Sequence, residues 1–245
     1  GATPGEDGST DGIAITLQEN VSDTDFTASG VYDFTITGNT IESDTDNLAG
    51  TIERGDKAEG IKFTINEGVQ NGTTNLTAVI ENNDIQTRIG DGSEFAVNEL
   101  AADGVVFDAN ITINNNRIVQ TNDNPVGSEN KDPRDLIKAT FGEDGEGSIT
   151  TGTFTITNNT VTSAAGAGDA FNYESLSTST SNIFKFKLEG NNFTAADDKD
   201  LKIIVPTGYL SISAPDGTTN FDAYLDSINT DAETEISGSP EVFRF

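Results

Sequence analysis

One short phrase returns five times along this chain: an apolar residue, an asparagine three residues later, and a second apolar residue two positions beyond it. Its first copy is Ile36-Thr37-Gly38-Asn39-Thr40-Ile41. The others run from Ile80 to Ile85 around Asn83, Ile113 to Ile118 around Asn116, Ile156 to Val161 around Asn159, and Leu188 to Phe193 around Asn191. The asparagines stand 44, 33, 43 and 32 residues apart, a long-short alternation within the period range of solenoids. A chain of this kind buries its apolar positions by stacking copies of one unit, so unequal steps become unequal loops on a constant core.

Between these phrases lies a second one, an acid, often a glycine, then alternating apolar positions. It reads Asp11-Gly12-Ile13-Ala14-Ile15, Glu59-Gly60-Ile61-Lys62-Phe63 and Asp103-Gly104-Val105-Val106-Phe107, with weaker copies at Asp135-Leu136-Ile137, Asp169-Ala170-Phe171-Asn172-Tyr173 and Asp200-Leu201-Lys202-Ile203. Period-two alternation and β-branched content make each phrase a strand. Runs such as Glu42 to Asn47, Thr121 to Asp132 and Phe141 to Gly147 carry the residues that turns prefer. Two strand phrases per repeat, with no helical pattern between them, predict an all-β fold. The architecture that fits best is a right-handed parallel β-helix (solenoid) of about six to seven coils with loop insertions, each coil stacked on the last at about 4.8 Å. Ile36, Ile80, Ile113, Ile156 and Leu188 form one expected apolar ladder, and Ile41, Ile85, Ile118, Val161 and Phe193 the next around the bend.

Asn39, Asn83, Asn116, Asn159 and Asn191 then fall at the turn between two sheets, where a left-handed backbone is expected and asparagine tolerates it. Stacked coil on coil, they form a structural turn ladder of hydrogen-bonded amides. At the ends, residues 1–10 read as a flexible linker, 11–213 as the β-helix, and 214–245 as a cap or final coil of the same domain. Ile13 to Val21, with Asn20 one position out of place, reads as a degenerate first coil. Phe221, Tyr224, Leu225 and Ile228 have helical spacing and predict a short amphipathic helix over the open end, and Glu241 to Phe245 reads as a last strand.

Charge and composition narrow the chemistry. With 41 acidic against 13 basic side chains, the net charge is -28, a field that repels nucleic acid and anionic lipid. Such charge with only 33% hydrophobic residues is also a mark of disorder, against which the periodicity argues. Cys, His, Met and Trp are absent, so disulfides, thiol nucleophiles, imidazole bases and the usual zinc ligands are excluded. No stretch approaches the roughly 20 apolar residues of a membrane span, and Gly1 to Gly5 lacks the basic and apolar regions of a signal peptide. Direct membrane insertion is not expected.

Any catalysis would rest on carboxylates with Arg, Lys or Tyr. The repeated acids Asp11, Glu59, Asp103, Asp135, Asp169 and Asp200 are the candidates, but their regular recurrence fits turn preference better than an active site. Arg88, Arg117, Lys131, Arg134 and Lys138 concentrate in mid-chain, as a patch for an anionic glycan or, more simply, as solvated partners of surface acids. No cofactor is called for. Glu143 to Gly147 and Asp197 to Asp200 leave weak calcium binding open, although neither matches a calcium-loop pattern. Asn-x-Ser/Thr sequences at Asn20, Asn71, Asn75, Asn110, Asn158 and Asn192 would matter only in a eukaryotic secretory pathway.

Through the Ile-x-Gly/Asn-Asn-x-Ile and Asp-Gly-Ile-x-Ile phrases, over roughly residues 11 to 205, the chain resembles the parallel β-helix repeats of bacterial surface and secreted proteins. Within that group its acidic, thiol-free composition looks like the passenger regions of autotransporter or inverse-autotransporter adhesins. The resemblance implies a non-enzymatic stalk or adhesive surface, outside the cell, with a protein or glycan partner contacted by the long loops at about 42 to 58 and 119 to 134. The alternative it leaves is a polysaccharide lyase or hydrolase on the same fold, whose catalytic signature this sequence lacks.

Overall fold

The alternation of apolar and polar residues becomes, in a computed structural model, the strands of three parallel sheets. The structure describes residues 12–18, 29–43, 60–67, 73–87, 93–99, 106–120, 135–141, 149–163, 168–175, 180–194, 200–230 and 232–243. The first sheet holds β1 (Ile13–Gln18), β4 (Ile61–Glu67), β7 (Ser93–Glu99), β10 (Ile137–Phe141), β13 (Phe171–Ser175), β16 (Leu201–Ile204) and β18 (Thr234–Ser237), in that order. The second holds β2 (Ser29–Thr37), β5 (Thr73–Glu81), β8 (Val106–Asn114), β11 (Ile149–Thr157), β14 (Ile183–Glu189), β17 (Tyr209–Ser213) and β19 (Pro240–Phe243). The third holds β3 (Thr40–Ser43), β6 (Asp84–Thr87), β9 (Arg117–Gln120), β12 (Thr160–Ser163) and β15 (Asn192–Thr194). The chain visits the three sheets in turn and comes back to pair parallel with the strand one circuit earlier. This order is compatible with a β-helix-like solenoid.

Burial follows the two ladders. Ile36, Ile80, Ile113, Ile156 and Leu188 are register partners across the second sheet, and Ile41, Ile85, Ile118, Val161 and Phe193 across the third. All ten are buried. Toward the middle of the core, Tyr173 of the first sheet meets Phe154, Phe184 and Phe186 of the second at ring separations of 5.0, 5.3 and 4.8 Å. Gly152, the partner of Phe184, makes room for them: a Cβ there would stand 2.6 Å from the Phe154 ring. Small beside large keeps the stack dense without strain.

The structure departs from the sequence reading in five places. Each circuit has three strands rather than two, because the asparagine phrase supplies one strand on each side of the turn expected between its two ladders. Ile13 pairs with Ile61, so β1 opens the first sheet and is not a degenerate asparagine coil; Asn20 lies outside the described residues. Val106, expected in the strand after Asp103, begins β8 of the second sheet. The first-sheet strand of that circuit is β7, whose Ser93 pairs with Ile61 and Ile137. The helix α1 (Phe221–Ile228) forms at the expected residues, with Phe221 and Leu225 buried and Asn220 capping Ala223 N at 3.1 Å, yet it does not close the end. After it, β18 pairs with β16 and β19 with β17.

The fifth departure concerns backbone handedness. At the five asparagine phrases the left-handed residues are Gly38, Asn82, Asn115, Asn158 and Gly190, with φ of 69, 57, 53, 57 and 68°, each one position before the expected asparagine. Glycine and asparagine are the residues that tolerate this region, which explains why only these two occur there. The bend and the ladder are thus assigned to adjacent residues. Residues 1–10 and all but the flanks of the loops at 42–58 and 119–134 lie outside the described residues.

Candidate functional site

Two rows of polar side chains run along corners of the molecule. At the corner between the second and third sheets, Asn39, Asn83, Asn116, Asn159 and Asn191 stack in line and a sixth asparagine, Asn229, extends them. Each amide oxygen from Asn83 onward accepts both the backbone N–H and the Nδ2 of the asparagine before it, at 2.9 to 3.1 Å. Nδ2 of Asn83, Asn116, Asn159 and Asn191 donates forward to the next amide and back to the carbonyls of Ile36, Ile80, Ile113 and Ile156, at 2.8 to 3.0 Å. An asparagine amide has two donors and two acceptor positions, so these four have nothing left over. They are also buried, which leaves a ligand neither access nor an open hydrogen bond.

Asn229 was not anticipated because a helix stands where the other copies have a strand. It ends α1, donating Nδ2 to Leu225 O at 3.0 Å and to Leu188 O at 3.3 Å, while Thr230 bridges to Asn192. The sequence did hold a signal: Asn229 follows Asn191 by 38 residues, inside the established period.

The second row is acidic and stands just before the first sheet. Asp135 Oδ1 accepts from Asp169 N and its Oδ2 from Asn172 Nδ2, both at 2.9 Å. Asp200 Oδ2 accepts from Glu233 N at 2.9 Å, and Lys202 Nζ lies 3.8 Å from Asp169 Oδ2. Asp169 and Asp200 are buried and Asp135 half-buried, and donors from neighbouring circuits replace part of the water that Asp135 and Asp200 lose. Asp11, Glu59 and Asp103 lie outside the described residues.

The two mid-chain basic residues that are described do not come together. Arg117, exposed on the third sheet, pairs with Asp84 at 2.6 Å, whereas Lys138 lies on the first sheet; Arg88, Lys131 and Arg134 are outside the described residues. The acids of the first-sheet corner therefore have Lys202 beside them, with Arg117 on another sheet. Among the described residues, no group of three or more Asp and Glu is placed to hold a metal ion. No described helix is long and apolar enough to cross a membrane. On α1, burial and then Asp226 and Glu235 push the Asp222 carboxyl above the usual carboxylate range.

Compared with known proteins, the chain matches no family model, no curated protein and no solved structure.

Proposed function

We propose that this chain is a right-handed parallel β-helix forming the stalk or adhesive surface of a bacterial cell-surface or secreted protein of the autotransporter or inverse-autotransporter kind. On this reading it is non-enzymatic and meets a protein or glycan of a host or neighbouring cell. The observation that carries the reading is the saturated asparagine ladder. The most regular polar feature of the chain is spent on joining one coil to the next, as suits a long rigid spacer under load from outside the cell. The thiol-free, strongly acidic composition supports it, since a chain exported unfolded gains from having no cysteines to cross-link.

The test has two arms. Beads coated with the whole chain are expected to adhere to cells or to a glycan surface, and incubation with acidic polysaccharides is expected to release no new reducing or unsaturated ends. Turnover of any polysaccharide would replace this reading with a lyase or hydrolase on the same fold.

A further inference from the structure

None of the six asparagines of the corner row begins an Asn-x-Ser/Thr sequence, although Asn39, Asn159 and Asn229 are each followed directly by threonine. The four such sequences among the described residues stand elsewhere. Asn75 and Asn110 face outward from the second sheet, Asn158 lies at a bend and Asn192 begins a strand of the third sheet.

Asn110 differs from the others in what surrounds it. It lies in Asp108-Ala109-Asn110-Ile111-Thr112, and of the six Asn-x-Ser/Thr sequences of the chain this one alone has an acid two residues before the asparagine. Residues two apart on a strand share a face, so Asp108, Asn110 and Thr112 point outward from β8 while Ala109 and Ile111 are buried. Asn110 is exposed, and its side chain makes no hydrogen bond among the described residues. Its register partners are Thr77 and Thr153, short side chains that leave its amide open. By contrast, Asn158 Nδ2 is bonded to Asn114 Oδ1 at 3.3 Å from a left-handed bend, and the amide oxygen of Asn192 is buried.

We propose that Asn110 is an N-glycosylation site of the bacterial type. The three-residue pattern is the acceptor of a eukaryotic secretory pathway. Bacterial transferases that work from lipid-linked oligosaccharides read a longer one, with an acid two residues ahead of the asparagine. In the transfer, Asn110 Nδ2 attacks the anomeric carbon of the first sugar and the C1–O bond to a polyprenyl diphosphate breaks. The lipid diphosphate leaves, taking up the proton that the amide loses.

The fold fixes when this happens. β8 is paired with β5 on one side and β11 on the other, so no enzyme can draw the segment into its own cleft without breaking both ladders. Transfer therefore precedes folding, on the unfolded chain that export delivers. Folding then accepts the product, because the glycan leaves from an outward side chain between two threonines. The inference uses the bacterial, exported part of the reading above and none of its adhesive part.

The whole chain would be exported to the periplasm of a bacterium carrying an oligosaccharyltransferase and its lipid-linked oligosaccharide, beside a control protein with a known Asp-x-Asn-x-Thr acceptor, and mapped by peptide mass spectrometry. The glycan is expected on the Asn110 peptide and not on those of Asn75, Asn158 or Asn192. Asn110→Gln should remove it, and Asp108→Ala should lower occupancy about tenfold. The glycosylated chain is expected to melt as cooperatively as the unmodified one. Purified folded chain given the same transferase in vitro should take up at least about tenfold less glycan than chain modified during export. A bare Asn110 beside a modified control protein overturns the proposal, as does unchanged occupancy in Asp108→Ala or a glycosylated chain that fails to fold. Equal transfer to the folded chain overturns the order of events. Bead adhesion of the unmodified chain, scored separately, decides the adhesive reading whichever way the glycan result falls.

Discussion

The two corners of the molecule repeat with the same period yet are built differently. In the asparagine row the rungs from Asn83 to Asn191 are equivalent, because an amide is both donor and acceptor and satisfies its own copy on the next coil. A carboxylate only accepts, and two stacked at coil spacing repel. Each acid of the other row has accordingly found a different donor: a backbone N–H and an amide for Asp135, another backbone N–H for Asp200, and a nearby ammonium for Asp169. The neighbouring row of the first sheet obeys the same rule over its last four described members, running Lys138, Asn172, Lys202, Glu235 in register with no two like charges adjacent. Neutral self-complementary side chains can repeat along a parallel stack, whereas the charged ones of these two rows alternate or borrow partners.

That contrast is easiest to break in the middle of the amide row. Asn116→Ala deletes four hydrogen bonds and strands Ile80 O and the amides on either side, so it is expected to cost about 3 kcal/mol by urea unfolding. Asn39→Ala, at the exposed first described rung, should cost under about 1 kcal/mol. Equal costs would mean that the row is not a cooperative ladder. One residue away the cause changes: Asn115→Val is expected to lose about 1 to 2 kcal/mol through its left-handed backbone, while Asn115→Gly stays within about 0.5 kcal/mol of the parent.

The acidic row answers to a conversion. Asp135→Asn makes the contact with Asn172 amide to amide, and Asn172 Oδ1, buried without a partner, can turn to accept the new amide hydrogen. Stability is expected to hold within about 0.5 kcal/mol, against a loss of about 1 to 2 kcal/mol for Asp135→Ala. The smallest effect belongs to α1, where Asp222 and Asp226 are like charges four residues apart near Glu235. Because the folded carboxyl of Asp222 titrates above its unfolded value, its ionisation opposes folding at neutral pH, and that opposition is relieved as pH falls through the folded pKa. Asp222→Asn should therefore raise the melting temperature slightly at neutral pH and leave it unchanged in acid. No gain at neutral pH would remove the like-charge account.

Much of this arrangement was legible in the chain. The apolar positions of both ladders and the residues of α1 followed from periodicity, since burial is decided residue by residue by what each side chain loses on leaving water. The strand β7 was missed because its first inward residue is Ser93, and the acid-glycine signal of Asp91-Gly92 was overshadowed by the stronger-looking Asp103-Gly104. Neighbours across strands were invisible for a different reason: Lys185 and Lys187 stand two apart in the chain, but Thr153 and Ser211 come beside Lys185 only through pairing across circuits.

By itself, then, the sequence determined the period of the chain, its apolar ladders and the presence of a bend at every Gly-Asn or Asn-Asn pair. Which member of each pair bends and which stacks, where each carboxylate finds its donor, and which outward side chains become neighbours were decided only in the tertiary structure. The partners involved lie some 26 to 47 residues away, and the register that joins them is set by stacking across loops whose lengths differ.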